Sequence, residues 1–334
     1  MKAILIQRYG KIDDQVQLVE TDQHPLKADE VRIQVHAASI NPLDLRIVEG
    51  EFKLLTPAKF PLILGNDLAG TIVEVGAQVT HLQVGDEVYA KTDHIQHGAF
   101  AEFCVVSAKN VALKPQSINM QEAASLPLVA LTAWQALVEL AELKAGQKVL
   151  IHAGSGGVGS VAIQLAKHLG AYVATTTSAK NSDWVKDLGA DLVIDYKTTD
   201  FADVIQGYDV VLDTQGGEIL EKSIHVLQRG GRVISIAGPP DQHLAQTMGA
   251  NGLVKLIMSF MGRAIRKKAK KHGVEYRFLF MQANGVQLQQ ITQLVEQQHI
   301  KPIIDRLYNF AETKQAMQYV NAGRSKGKVV VNIV

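Results

Sequence analysis

The chain predicts an α/β fold: a doubly wound parallel sheet joined to a second, mostly antiparallel β domain. Three observations carry this. From about residue 148 onward, apolar runs of strand length alternate with runs of helical spacing, the pattern of a parallel sheet with crossover helices. Residues 1–110 instead hold many short strand-like runs and few helical ones. Between them stands Lys148-Val-Leu-Ile-His-Ala-Gly-Ser-Gly-Gly-Val-Gly-Ser-Val-Ala-Ile-Gln-Leu-Ala-Lys167, which reads as strand, glycine turn and helix in succession.

In the first part, Val31-Arg-Ile-Gln-Val35 alternates apolar and polar residues like a half-buried strand. Gly70-Thr-Ile-Val-Glu-Val-Gly76 and Asp86-Glu-Val-Tyr-Ala90 are strands bounded by turn residues. Asn41-Pro42-Leu43-Asp44 reads as a turn, followed by a long loop from Arg46 to Pro61. Gln121–Leu143 is rich in Ala and Leu and predicts two helical segments split at Pro127.

After the glycine turn the alternation is regular. Tyr172–Thr177, Leu192–Tyr196, Asp209–Asp213 and Arg232–Ala237 are the predicted strands. Ser182–Leu188, Phe201–Gln206 and Glu218–Leu227 are the helices between them. Residues 239–273 break the pattern, with an apolar run Leu253–Met261 and then Arg263–Lys271, which holds six basic residues. Val274–Met281 predicts a strand, Leu288–Gln298 a helix, and Lys328–Val331 a closing strand.

Composition narrows the function. The 334 residues suit two domains, and 47% hydrophobic with 20% charged residues is ordinary for a globular protein. A net charge of +1 supplies no global field for nucleic acid. No apolar run reaches the roughly 18 residues of a membrane span. The N-terminus reads as a first strand rather than a signal peptide, so a cytoplasmic location is the expectation. A single cysteine, Cys104, leaves no disulfide framework and no multi-cysteine zinc site, and is expected to be an inert buried thiol.

The turn Gly154-Ser155-Gly156-Gly157-Val158-Gly159 lies after a strand and opens a helix, the context a dinucleotide fingerprint needs. Glycines let the backbone turn tightly and let a pyrophosphate approach the helix N-terminus. A site for NAD would carry an Asp or Glu about 20 residues on, at the end of the second strand. Here that strand ends Thr175-Thr-Thr-Ser-Ala-Lys180, without a carboxylate. Hydroxyls and an ammonium suit a 2′-phosphate, so NADPH is the expected cofactor, with Ser178 and Lys180 as phosphate contacts.

Several further stretches carry a resemblance: Ala38-Ser-Ile-Asn-Pro-Leu-Asp44, Pro61-Leu-Ile-Leu-Gly-Asn-Asp-Leu-Ala-Gly70, Gly85-Asp-Glu-Val-Tyr89, Gly98-Ala-Phe-Ala-Glu102, Leu188-Gly-Ala-Asp191, Asp213-Thr-Gln-Gly-Gly217 and Gly327-Lys-Val-Val-Val331. With the glycine turn, their order resembles the medium-chain dehydrogenase/reductase superfamily, in its zinc-independent quinone oxidoreductase-like branch. The nearest look is to zeta-crystallin-like quinone reductases and plant alkenal/one oxidoreductases. The resemblance implies a GroES-like catalytic domain over residues 1–128 and 283–334 and a Rossmann domain over 129–282. It implies Tyr196 beside the 2′-phosphate, Thr132 near the nicotinamide, and backbone from Gly238 and Phe278–Phe280 close to it. It also implies a homodimer built by pairing the Val274–Met281 strand across a two-fold axis.

Zinc-dependent members of that superfamily ligate the metal at positions that look like Asn41 and Asn66 here, and carboxamides are poor zinc ligands beside thiolate and imidazole. His94 and His97 are expected to be surface residues of a loop. Without a Lewis acid, alcohol oxidation loses its alkoxide-stabilising cation. Quinones and α,β-unsaturated carbonyls need less activation, because a few hydrogen bonds can stabilise the oxygen that gains charge. Asn41 is the first candidate donor to that oxygen, the alternative being a turn-stabilising Asn before Pro42, with Asp44 as a structural residue. Phe52 and Asn66 are expected to line the substrate pocket, where Phe52 stands near a position that many quinone reductases fill with tyrosine. The expected activity is hydride transfer from NADPH to quinones or to the C=C bond of enals and enones. Alternatives are an enoyl-thioester reductase, and an NADPH-binding protein with a structural or RNA-binding role. The basic stretch 263–271 is expected to be a solvated helix on the cofactor domain, with no nucleic-acid partner and no stable membrane insertion.

Overall fold

The structure is a computed structural model that describes residues 1–53, 57–93, 98–240 and 261–334. It divides into two compact units, Met1–Leu131 with Gln282–Val334, and Thr132–Met281.

In the first unit the elements run β1 (Lys2–Ile6), α1 (Ile12–Gln15), β2 (Gln17–Glu20), β3 (Glu30–Ile40), α2 (Pro42–Glu49), β4 (Leu62–Ile63), β5 (Asp67–Val75), β6 (Glu87–Lys91), β7 (Phe103–Ser107), β8 (Val111–Leu113) and α3 (Met120–Ala124). Helix α4 (Pro127–Trp134) crosses into the second unit and continues as a π-helical stretch, Gln135–Leu140. There follow β9 (Lys148–Ile151), α5 (Gly157–His168), β10 (Tyr172–Thr177), α6 (Ser182–Asp187), β11 (Leu192–Asp195), α7 (Phe201–Val204), β12 (Tyr208–Asp213), α8 (Gly217–Val226), β13 (Leu227–Ser235), α9 (Arg263–His272) and β14 (Glu275–Phe278). The chain returns to the first unit as α10 (Gly285–Glu296), β15 (Ile304–Asn309), α11 (Thr313–Asn321) and β16 (Lys328–Asn332).

The first unit is organised by β3. Its apolar positions Val31, Ile33, Val35, Ala38 and Ile40 are all buried. It pairs antiparallel with β5, β7 and β16, so the C-terminal strand lies beside the N-terminal domain's longest one. This sheet has the order β15-β16-β3-β5-β6-β8, and a three-stranded sheet β2-β1-β4 packs in the same unit. Helix α10 is tied to β6, where the Tyr89 hydroxyl donates to the Leu288 carbonyl at 2.7 Å.

The stretch from Arg46 begins as helix rather than loop, because α2 spans Pro42–Glu49; the described residues from Gly50 to Pro61 are turn and irregular, as expected. Pro42 sits at the first position of α2, where a missing N–H costs nothing. Asn41 caps it in extended conformation, and Gly50 ends it at φ 77°, a left-handed turn that favours glycine. Within that stretch Leu54–Thr56 lie outside the described residues, as do His94 and His97 and most of Leu253–Met261.

The second unit holds a six-stranded sheet of order β11-β10-β9-β12-β13-β14, with every pairing parallel. That is the doubly wound order of a dinucleotide-binding fold, reversing between β9 and β12. Val149, Leu150 and Ile151 of β9 are fully buried, as a central strand covered on both faces requires. In α9, Ile265 and Ala269 are buried, while Lys267, Lys270 and Lys271 are exposed and Lys268 pairs with Glu221 of α8 at 2.8 Å. Among the described residues, no helix is long and apolar enough to cross a membrane.

Candidate functional site

The glycine turn follows β9 at the switch point of the sheet. Ala153 takes a left-handed φ of 53°, and the chain then reverses into α5. Two of the glycines are demanded by packing. A Cβ at Gly154 would stand 2.2 Å from Thr175 Oγ1, and one at Gly159 2.3 Å from the Ala153 carbonyl oxygen. Gly156 is the N-cap of α5 and no side chain caps it, so the N–H groups of the first turn, from Gly157, Val158 and Gly159, are available to an anion. This glycine cradle fits a pyrophosphate.

Below the turn, His152 is buried between Thr176 Oγ1 at 3.1 Å and Ser223 Oγ at 2.9 Å. The Ser223 hydroxyl donates to the Ile219 carbonyl at 2.7 Å, so the ring donates through Nε2 and accepts through Nδ1. Burial lowers its pKa to about 4 and keeps it neutral. Asp213, also fully buried, accepts from the Ser235 hydroxyl at 2.6 Å and from the Gly216 N–H at 3.0 Å, and so fixes the ends of β12 and β13.

At the end of β10 the hydroxyls are oriented. Thr177 donates to Ser155 Oγ at 2.9 Å. The Asn181 amide donates to Ser178 Oγ at 3.2 Å. Because Ser178 accepts there, its own hydrogen is left to donate elsewhere. Lys180 is exposed on the short turn Ala179–Asn181. Tyr196 is 62% exposed, and its backbone N–H donates to the Thr177 carbonyl at 3.2 Å. Ser178, Lys180 and Tyr196 are thus brought to the same end of the sheet.

Gly238 and Phe278 meet around Ser235. The Gly238 N–H donates to Ser235 Oγ at 2.8 Å, and Phe278 pairs with Ser235 in the ladder between β13 and β14. A Cβ at Gly238 would lie 2.7 Å from the Tyr276 hydroxyl. Phe280 is half-buried two residues on, and Thr132 is buried in α4.

The first unit contains a second cluster, fully buried and charged. Asp44 accepts from the Asn41 backbone N–H at 2.7 Å and from Asn66 Nδ2 at 2.7 Å. Asp67 accepts from Asn41 Nδ2 at 2.9 Å, from Ser39 Oγ at 3.1 Å and from the Leu128 N–H at 2.9 Å. Lys328 Nζ donates to the Ile40 carbonyl at 3.0 Å and to Asn41 Oδ1, and lies 3.6 Å from Asp67. Lys91 is buried directly across the β5–β6 ladder from Asp67. Burial pushes Asp44 up to about 6 and Lys91 down to about 8, and it lowers Lys328.

This cluster corrects the role expected of Asn41. Its two amide hydrogens face Asp67 Oδ2 at 2.9 Å and the Ser39 carbonyl at 3.4 Å, and its oxygen accepts from Lys328, so it is not placed as a donor to substrate. Asn66 differs: its Nδ2 is bonded to Asp44, but its Oδ1 is buried with no partner among the described residues. Phe52 is half-buried just after α2. Lys328, Lys91 and Asp67 are the members that the sequence does not single out, and the same holds for Asp213 in the second unit. A lysine that opens an apolar strand reads as solvated until the pairing of β16 with β3 sets it beside Asn41.

Comparison with known proteins agrees with this geometry. Residues 27–116 match the alcohol dehydrogenase GroES-like domain family, and residues 188–331 the family described as zinc-binding dehydrogenase. The mitochondrial NAD(P)H oxidoreductase RTN4IP1 of Mus musculus is 35% identical over all of this chain and 89% of its own length. The chloroplastic NADPH-dependent alkenal/one oxidoreductase of Arabidopsis thaliana is 34% identical over 99% of this chain and 79% of its own. The quinone oxidoreductase of Coxiella burnetii superposes with a TM-score of 0.86 at 31% identity, covering 100% of this chain and 99% of that one. By sequence and fold the chain belongs to the quinone oxidoreductase-like branch of the medium-chain dehydrogenase/reductase superfamily.

Proposed function

We propose that this oxidoreductase reduces quinones, or the C=C bond of α,β-unsaturated carbonyls, with NADPH and without a metal. The observation that carries the reading is the state of Asn41 and Asn66. One carboxamide is held between an ammonium and a carboxylate, and the other by a carboxylate. These residues do not fit a zinc ion. The one oxygen Asn41 has to offer is bonded to Lys328, whose charge would repel a divalent cation. Reactions that need a Lewis acid are therefore disfavoured, and acceptors that are already electron-poor suit the site.

The nicotinamide supplies a hydride when bound, and the chain's residues hold and orient the rest of the cofactor. Gly154, Gly156, Gly157, Val158 and Gly159 receive the pyrophosphate on backbone N–H groups. Ser178 and Lys180 bind the 2′-phosphate, the serine with a hydrogen freed by Asn181 and the lysine as an exposed cation, with Tyr196 alongside. Thr132, Gly238, Phe278 and Phe280 orient the nicotinamide, and Phe52 and Asn66 contact the acceptor. Asn41 is a positioning residue that keeps Asp67 and Lys328 in place. Among the described strands, β14 is at the edge of its sheet, which supports a homodimer formed by strand pairing, to be checked by light scattering. A cytoplasmic location rests on the sequence alone, since the named relatives include mitochondrial and chloroplastic proteins.

The test follows oxidation of NADPH and of NADH with a quinone, an enone and a crotonyl thioester. Turnover of the first two with NADPH preferred supports the reading. Preference for the thioester would make the protein an enoyl-thioester reductase, and tight NADPH binding with no acceptor at all would make it a binding protein.

A further inference from the structure

Asn66 is fully buried, and its side chain has one amide and one carbonyl end. The amide end is committed, because Nδ2 donates to Asp44 Oδ1 at 2.7 Å. The other oxygen of Asp44 is held by the Asn41 N–H at 2.7 Å, so the carboxylate cannot rotate away from either donor. With its pKa pushed up only to about 6, Asp44 is ionised at pH 8 and has no hydrogen to give. Turning Asn66 over would set its oxygen against a carboxylate oxygen. The side chain is therefore locked with Oδ1 pointing away from Asp44. That oxygen meets no donor among the described residues. A buried acceptor left in this state is unfavourable unless a ligand or water brings it a hydrogen.

We propose that Asn66 Oδ1 is an acceptor for a ligand hydroxyl, so that the site recognises the hydroquinone or enol form of its reduced acceptor above forms that can only accept. This rests on the reading of Asn66 as a substrate-pocket residue. In the overall reaction the quinone takes a hydride from NADPH and a proton from solvent, and both of its oxygens end as hydroxyls. One of those hydroxyls donates to Asn66. The carbonyl of the oxidised substrate has no hydrogen to offer the same atom. Asn66 thus sets which redox form is held more tightly, and Asp44 acts as the positioning residue that decides which end of Asn66 is presented.

Substituting Asp44 tests this directly. In Asp44→Asn the new amide can donate to Asn66 Oδ1 while its oxygen still accepts from the Asn41 N–H. Asn66 must then turn and present Nδ2, a donor. The experiment titrates hydroquinone and its dimethyl ether, which cannot donate, into the protein saturated with NADP⁺, and compares the ratio of affinities across variants by calorimetry at pH 8. The wild-type protein should favour hydroquinone by about 2–10-fold, the range of one neutral hydrogen bond. Asp44→Asn should lose or reverse that preference. Asn66→Leu, which removes both polar ends, should abolish it and keeps the test open if Asp44→Asn fails to fold. Retention of the wild-type preference by either variant would overturn the proposal. Absence of quinone turnover in the wild-type protein would instead overturn the functional reading, while the affinity ratio could still be measured.

Discussion

Lys328 in the last strand donates through Nζ to the side-chain oxygen of Asn41, the N-cap of α2, and thereby links the two ends of the first unit. Lysine is only a donor, so Asn41 must aim its oxygen at Lys328 and its amide at Asp67. One ammonium thus sets the polarity of a carboxamide and offsets a fully buried carboxylate.

Lys328→Met should therefore destabilise the first unit strongly. It leaves Asp67 with only Lys91 as a buried cation and the Ile40 carbonyl without its donor, and breaking one partner of a buried pair costs about 3–5 kcal/mol. Chemical denaturation of the variant checks this. A loss below about 1 kcal/mol would show that the ammonium is not structural.

The cofactor cradle makes a packing prediction. Gly159→Ala places a methyl group where the Ala153 carbonyl oxygen lies 2.3 Å away, and backbone cannot yield as a flexible side chain can. Binding of NADPH and NADH should weaken together, by about tenfold or more for a displaced phosphate-binding turn. Fluorescence titration with each cofactor measures the effect, and unchanged affinity would remove the turn from the site.

Lys180→Ala should act differently. Loss of one charge-assisted bond costs about 1–3 kcal/mol for NADPH and nothing for NADH, which has no 2′-phosphate. Ser178→Ala should show the same selectivity at smaller size. Equal losses for both cofactors would place neither residue at the 2′-phosphate.

Two buried groups pull the pH dependence of stability in opposite directions. His152 has a folded pKa of about 4, below the ordinary 6.5, so its contribution is complete above 6.5 and is lost as pH falls toward 4. Asp44 has a folded pKa of about 6, above the ordinary 3.8, so its ionised form is a cost above 6 that is relieved as pH falls through that value. The two contributions act in opposite directions between pH 6.5 and 4. Replacing His152 by Gln should remove its share and make the variant's stability fall less on acidification than that of the wild-type protein. Parallel urea midpoints from pH 7 to 4.5 would contradict the assignment.

Much of the second unit was legible because it is locally encoded. The apolar run of β9, the glycine turn and the helical stripe of α5 follow one another within a single stretch, and the alternation from Tyr172 to Ser235 repeats it. Helix α2 was misread because Asn-Pro signals both a turn and a capped helix start, and only the Asp44 bond to the Asn41 N–H distinguishes them. The charged cluster was hidden for another reason. Asn41, Asp67, Lys91 and Lys328 are joined by strand pairings of long sequence separation, which no local period reveals. The sequence draws attention to Asn41, but the bonds that its side chain makes depend on a partner 287 residues away.

On the proposed function, hydride transfer needs no metal. Protein dialysed against chelator, with its zinc content measured on the same sample, should reduce a quinone or an enone with NADPH at the undialysed rate. Activity confined to an alcohol with NADP⁺, lost on dialysis and restored by zinc, would contradict it.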